Sequence, residues 1–130
     1  MSLNNPLASA LSAILNHERL GRKECSTRPS SKLIKTVLRI MNENGYIGSF
    51  SEVEDGRGNF LVVNLLGRIN KCGVVSPRFS FSIEELPKFE KRFLPARDFG
   101  ILIVSTSRGL MTHQEAKKNN IGGKLVSYCY

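Results

Sequence analysis

Two serines, Ser105 and Ser107, follow the apolar run Gly100-Ile101-Leu102-Ile103-Val104, and two histidines, His17 and His113, could act as bases toward them. With Asp98 as an orienting carboxylate these would make a hydroxyl nucleophile and its relay. The spacing does not support it. No G-x-S-x-G elbow is present, serine after a strand is an ordinary turn residue, and His113 falls at an expected helix start, where exposure is the default. No catalytic residue is therefore assigned. Glu84-Glu85 has no third ligand near it in sequence, and Cys25, Cys72 and Cys129 show neither C-x-x-C nor zinc-site spacing. No metal or other cofactor is expected. The odd, sparse cysteines read as reduced thiols in a cytoplasmic protein.

The same serines suit recognition better. Ser105-Thr106-Ser107-Arg108-Gly109 sets three consecutive hydroxyls after a strand, each able to donate and accept, with a cation and a glycine that permits close backbone approach. Gly122-Gly123-Lys124 adds exposed N–H groups and a second cation, and Tyr128 adds a ring for packing or stacking. Each has a plainer reading, as a Ser/Thr turn that caps itself or a core tyrosine. Charge weighs against those. The chain of 130 residues has 19 Lys+Arg against 11 Asp+Glu, a formal net charge of +8. Seven basic and six acidic residues lie between Met1 and Asp55, so +7 of that excess belongs to the remainder. A polyanion, RNA before an anionic membrane surface, is the expected partner of that half. No apolar run approaches the ~18 residues of a membrane span, and the N-terminus lacks a secretory signal.

The elements that must position these groups follow from punctuation and period. Asn5 and Pro6 open a helix carrying Leu7, Leu11, Ile14 and Leu15, which Gly21 stops. A break over Cys25-Ser26-Thr27-Arg28-Pro29 leads to a second helix, capped by Ser30 or Ser31 and ended by Gly45. Leu33, Ile34, Val37, Leu38 and Met41 share one face of it, while Lys32, Lys35 and Arg39 share the other, either as a wet back or as an approach to phosphates. Tyr46–Val53 and Phe60–Leu66 read as strands joined by a hairpin loop over Asp55–Asn59, with a face covered by the helices. In the second half, Gly73–Arg78 reads as a short strand into a turn, and Phe79, Phe81 and Ile83 alternate as a strand should. Glu84–Leu94 reads as a loop with one helical turn after Pro87. Gly100–Val104 is the clearest strand, Thr112-His113-Gln114-Glu115 has capping-box spacing for a short helix, and Lys124–Tyr130 is a last strand after Gly122-Gly123.

Taken together, several stretches make the sequence resemble the small-subunit ribosomal protein S-eight family, in its archaeal/eukaryotic form (eukaryotic S-fifteen-A). They include Pro29-Ser30-Ser31-Lys32-Leu33, Asn44-Gly45-Tyr46-Ile47-Gly48, Gly67-Arg68-Ile69-Asn70-Lys71-Cys72-Gly73 and Leu94-Pro95-Ala96-Arg97-Asp98-Phe99-Gly100. Ser105-Thr106-Ser107-Arg108-Gly109-Leu110-Met111-Thr112 and Gly122-Gly123-Lys124 complete the set. The resemblance implies an α+β protein, an α-β-α-β-β half over 1–66 packed against a β-rich half with a short helix over 67–130. Glu24-Cys25-Ser26-Thr27 is more polar than the short strand the family has there. It also implies a non-catalytic role in the small ribosomal subunit, in the cytoplasm: direct binding of central-domain rRNA during assembly, beside neighbouring small-subunit proteins. Ser105, Thr106, Ser107 and Gly109 match the family's main RNA-binding turn, and Ser30, Ser31 and Lys32 a second contact. A free RNA-binding translational regulator, repressing an mRNA off the ribosome, is the alternative.

Overall fold

The computed structural model describes residues 6–27, 31–54, 56, 59–75, 79–96 and 99–130. They gather into two compact units, Met1–Cys72 and Gly73–Tyr130. The architecture is α+β, with helices and antiparallel sheets in both.

In the first unit, α1 (Pro6–Arg19) buries Leu7, Ala10, Leu11 and Ile14, one stripe at helical spacing, with Leu15 at its half-buried margin. Its end is closed by bonds from the Gly21 N–H to the Glu18 carbonyl (3.1 Å) and from the Arg22 N–H to the His17 carbonyl (3.0 Å). Asn5, expected to cap it, lies outside the described residues. In α2 (Lys32–Glu43) the cap is Ser31, whose hydroxyl accepts from the Ile34 N–H at 3.2 Å. Ile34, Val37, Leu38, Ile40 and Met41 are buried, and Leu33 only half so. Each large aliphatic side chain taken from water here stabilises the unit by about 1.5–3 kcal/mol before entropy is counted.

These helices lie against β1 (Glu24–Thr27), β2 (Ile47–Glu54) and β3 (Asn59–Leu65), an antiparallel sheet in the order β1-β3-β2. Residues 25–27 are thus not the expected break but an edge strand. Cys25 pairs with Val63 and Thr27 with Leu61, and both point inward while Glu24 and Ser26 stay exposed. Four polar or small residues show too little alternation to be read alone; the pairing comes from β3. Of the loop between β2 and β3, Asp55, Arg57 and Gly58 lie outside the described residues. The Gly67-Arg68-Ile69 stretch is held by Glu18, whose carboxylate accepts from the Gly67 and Ile69 N–H groups; burial raises its pKa and those bonds oppose the rise. Nearby, burial and the Glu18 charge push the Cys72 thiol up to about 12, and it donates to the Leu11 carbonyl at 3.6 Å. All three cysteines are free and buried.

The second sheet holds β4 (Cys72–Val74), β5 (Ser80–Phe81), β6 (Ile101–Thr106), β7 (Gly109–Thr112) and β8 (Gly123–Cys129). Its order is β4-β8-β6-β7, with β5 also paired to β8. One face is packed with Phe81, Leu102, Val104, Met111 and Leu125, covered by Leu86, Phe89 and Leu94. Three expectations are corrected. The Phe79–Ile83 strand shrinks to Ser80–Phe81, because Ser82-Ile83-Glu84-Glu85 turns into a helix. That helix, α3 (Leu86–Phe93), is longer than one turn, with Pro87 in its first turn and Leu86, Phe89 and Phe93 directed at the core. Finally, β7 occupies residues expected to be turn and linker. Ser76-Pro77-Arg78 lies outside the described residues. The N-cap half of the expected capping box is present: α4 (His113–Asn119) starts at Thr112, whose hydroxyl accepts from the Glu115 N–H at 3.3 Å.

Candidate functional site

The hydroxyl motif is the tip of a hairpin. Ser105 and Thr106 are the last residues of β6, Thr106 pairs with Gly109, and Ser107-Arg108 forms the exposed two-residue loop. Neither loop residue takes a positive φ; Gly109 does, at +107°, and so returns the chain into β7 without β-carbon strain. Thr106 holds the turn. Its hydroxyl donates to the Gly109 carbonyl at 2.9 Å and accepts from the Arg108 N–H at 3.1 Å. The plainer reading of the motif is right for Thr106, which is occupied internally. Among the described residues the Ser105 and Ser107 hydroxyls make no such bond, which leaves them to an incoming acceptor or donor.

Strand register brings the second glycine motif to the same place. Ser105 pairs with Lys124 on β8, and Lys124 pairs in turn with Ser80 on β5. Directly opposed residues project from the same face, so a serine, a lysine and a serine form a row across three strands, roughly 10 Å long at ~4.8 Å per strand. Ser80 was not singled out in the sequence; only the pairing of β5 with β8 identifies it. The glycines contribute room. A β-carbon on Gly122 would lie 2.7 Å from the Phe81 carbonyl oxygen, and one on Gly123 would overlap the Ser105 carbonyl. Tyr128 lies four residues further along β8, opposite Leu102, half-buried and stacked between Phe93 (5.9 Å) and Tyr130 (6.2 Å). It is not beside the hairpin.

In the other unit, Ser31 caps α2 and Lys32 is exposed at its first turn, whereas Ser30 lies outside the described residues. Further along α2, Lys35 is paired with Glu52 (2.7 Å) and Arg39 lies 3.7 Å from Glu43, so this basic face is partly neutralised by its own neighbours.

The nucleophile reading finds no geometry. His113 is not an exposed cap residue but is 2% exposed. Its Nδ1 accepts from the Leu102 N–H at 3.0 Å, one step beyond the last β6–β7 pair, Ile103 with Thr112. The imidazole continues the ladder where the strand has ended. Because Nδ1 accepts, the proton sits on Nε2, 3.5 Å from Glu90 Oε1, which also meets the Lys117 ammonium. Asp98 lies outside the described residues, and His17 Nδ1 faces the Ala13 carbonyl at 2.8 Å. Among the described residues no group of three His, Cys, Asp or Glu side chains is placed to hold a metal, and no helix is long and apolar enough to cross a membrane.

The family model described as Ribosomal protein S8 matches residues 5–130. The chain belongs to that family. It is 51% identical over 130 residues, the whole of both chains, to a protein of Methanococcoides burtonii named small ribosomal subunit protein uS8. The family is a structural, non-enzymatic one.

Proposed function

We propose that the protein is a structural component of the small ribosomal subunit that binds central-domain rRNA directly, aids its assembly and sits beside neighbouring subunit proteins in the cytoplasm. The β-rich half, 67–130, makes the main contact. The observation carrying this reading is the register that sets Lys124 beside Ser105 under a loop presenting Ser107 and Arg108. Cations there neutralise phosphates, and the two uncommitted hydroxyls, held at fixed height by strand pairing, distinguish one RNA shape from another. Gly109, Gly122 and Gly123 let backbone come close, Thr106 sets the loop, and Ser30, Ser31 and Lys32 make a second contact. Tyr128 belongs to this reading as the ring that supports the sheet's far end.

The first test is Ser107→Ala. Affinity for a central-domain rRNA fragment should fall about fivefold, one hydrogen bond's worth, while the thermal midpoint moves by no more than ~1–2 °C. Unchanged affinity in a filter-binding titration would remove the hairpin from the interface. The second is salt. A log–log plot of affinity against salt should have a slope of about −3 or steeper, since each neutralised phosphate contributes roughly 0.7–0.9. A slope near zero contradicts a phosphate-dominated contact.

A further inference from the structure

Away from the hairpin, α3 presents a second cationic surface. Lys88, Lys91 and Arg92 are exposed and stand at i, i+3 and i+4, on one face of the helix. Among the described residues none of the three forms an ion pair, and the helix's one acid, Glu90, is turned inward to Lys117 and His113. Like charges at this spacing repel and destabilise an isolated helix, so the arrangement works against the fold it stands on. The last two also complement the helix C-terminus, but that does not account for Lys88 or for how Arg92 is held.

Arg92 lies over two rings at once, with its guanidinium carbon 5.1 Å from the Phe79 centroid and 5.4 Å from that of Phe93. Those rings are themselves braced. Phe79 stacks on Phe89 at 5.9 Å, and Phe93 on Tyr128 at 5.9 Å and 25°. A flexible, entropically expensive side chain is thereby held flat before any ligand arrives. A planar cation fixed against rings and flanked by two lysines matches a nucleotide strand: a base continues the stack, and its neighbouring phosphates meet Lys88 and Lys91. The core pattern also places this surface on the α3 side of the sheet. Phe81, Leu102, Val104 and Leu125 face α3, so Ser105 and Lys124, one residue out of step with Val104 and Leu125, project from the other side.

We propose that the Lys88–Lys91–Arg92 face of α3 is a further RNA contact, taking an unpaired nucleotide and its flanking phosphates from a segment other than those at the hairpin and at the start of α2. This rests on the rRNA-binding reading above and adds a site to it. The experiment uses the full chain and a full-length small-subunit rRNA transcript, with affinity and hydroxyl-radical footprints measured for Arg92→Ala, Arg92→Lys, the charge-reversed pair Lys88→Glu with Lys91→Glu, and Ser107→Ala. Arg92→Ala and the reversed pair should each weaken binding about five- to tenfold and erase one protected RNA segment, leaving the Ser107-dependent segment intact. Arg92→Lys, which keeps charge but not the planar stack, should recover less than half of that loss. Melting curves confirm folding, and the lysine pair, which lies outside the ring stack, serves if Arg92→Ala does not fold. Wild-type affinity and footprint in the α3 variants, with Ser107→Ala impaired, would overturn the α3 site and leave the hairpin reading standing. The reverse pattern would retain α3 and remove the hairpin. Unchanged RNA binding with loss of a co-sedimenting subunit protein would make the face a protein contact and overturn the proposal.

Discussion

Replacing Gly123 by alanine is expected to cost about 3 kcal/mol or more, at the upper end of what overpacking a folded interior costs. The added β-carbon would overlap the Ser105 carbonyl oxygen and lie 3.0 Å from its carbonyl carbon and 3.2 Å from the Thr106 Cα. These are backbone atoms of β6, so no side chain can swing aside. Relief requires β8 to move from β6 at Ser105-Thr106, next to the register slip between Ile103 and Val104. The displaced strand carries Lys124 away from Ser105, so RNA affinity should drop further than that of any single contact variant. Gly109→Ala is the control. It has a positive φ but nothing within 4 Å of the added carbon, so it strains one residue without separating strands and should cost only ~1–2 kcal/mol. Denaturant titration of both variants checks the order. Equal losses at the two positions would show that close approach is not what Gly123 provides.

That contrast also shows which parts of the site are legible in a linear sequence. The Ser-Thr-Ser-Arg-Gly turn is visible because turn chemistry is local, and so are the Thr112 capping box and the apolar stripe of α2. Proximity of Lys124 to Ser105 is not visible. It depends on the pairing of β8 with β6 across a register slip, and the same pairing with β5 adds Ser80. Two elements are hidden for related reasons. In β1, only Cys25 and Thr27 alternate inward, too short a run to outweigh its polar residues. In β7, four residues end on the very threonine that caps α4, so strand and helix signals overlap at Thr112. By contrast, α3 carries a helical stripe of Leu86, Phe89 and Phe93 with Pro87 in its first turn, within a stretch that reads in sequence only as a loop with one helical turn. The burial of His113 has no sequence signal at all, because the first residue after a cap normally faces water.

His113→Phe is therefore expected to be among the most damaging changes in the second unit, although an aromatic ring is kept. Phenylalanine more than fills the space of the imidazole and cannot accept from the Leu102 N–H, which then sits buried where His113 was 2% exposed, with no acceptor in place of Nδ1. An unsatisfied buried donor costs about 1–3 kcal/mol. A second loss falls on Glu90, which keeps Lys117 but no longer faces the Nε2–H. The expected result is a stability loss of roughly 2–4 kcal/mol and a thermal midpoint lower by about 10 °C. His113→Asn separates the two roles. Its Oδ1 branches from the same carbon as Nδ1 and can accept from Leu102, but the shorter side chain does not reach Glu90. It should recover more than half of the phenylalanine loss, and exchange protection of the Leu102 amide should return with it. A phenylalanine variant as stable as the parent, or an asparagine variant no better than phenylalanine, would mean that the imidazole acts by volume rather than as the acceptor that pairs β6 beyond the end of β7. In neither variant does the hairpin lose a contact group, so RNA affinity of the folded fraction should stay near that of the parent. A loss confined to stability is the signature of a residue that holds the strand under the site rather than touching what the site binds.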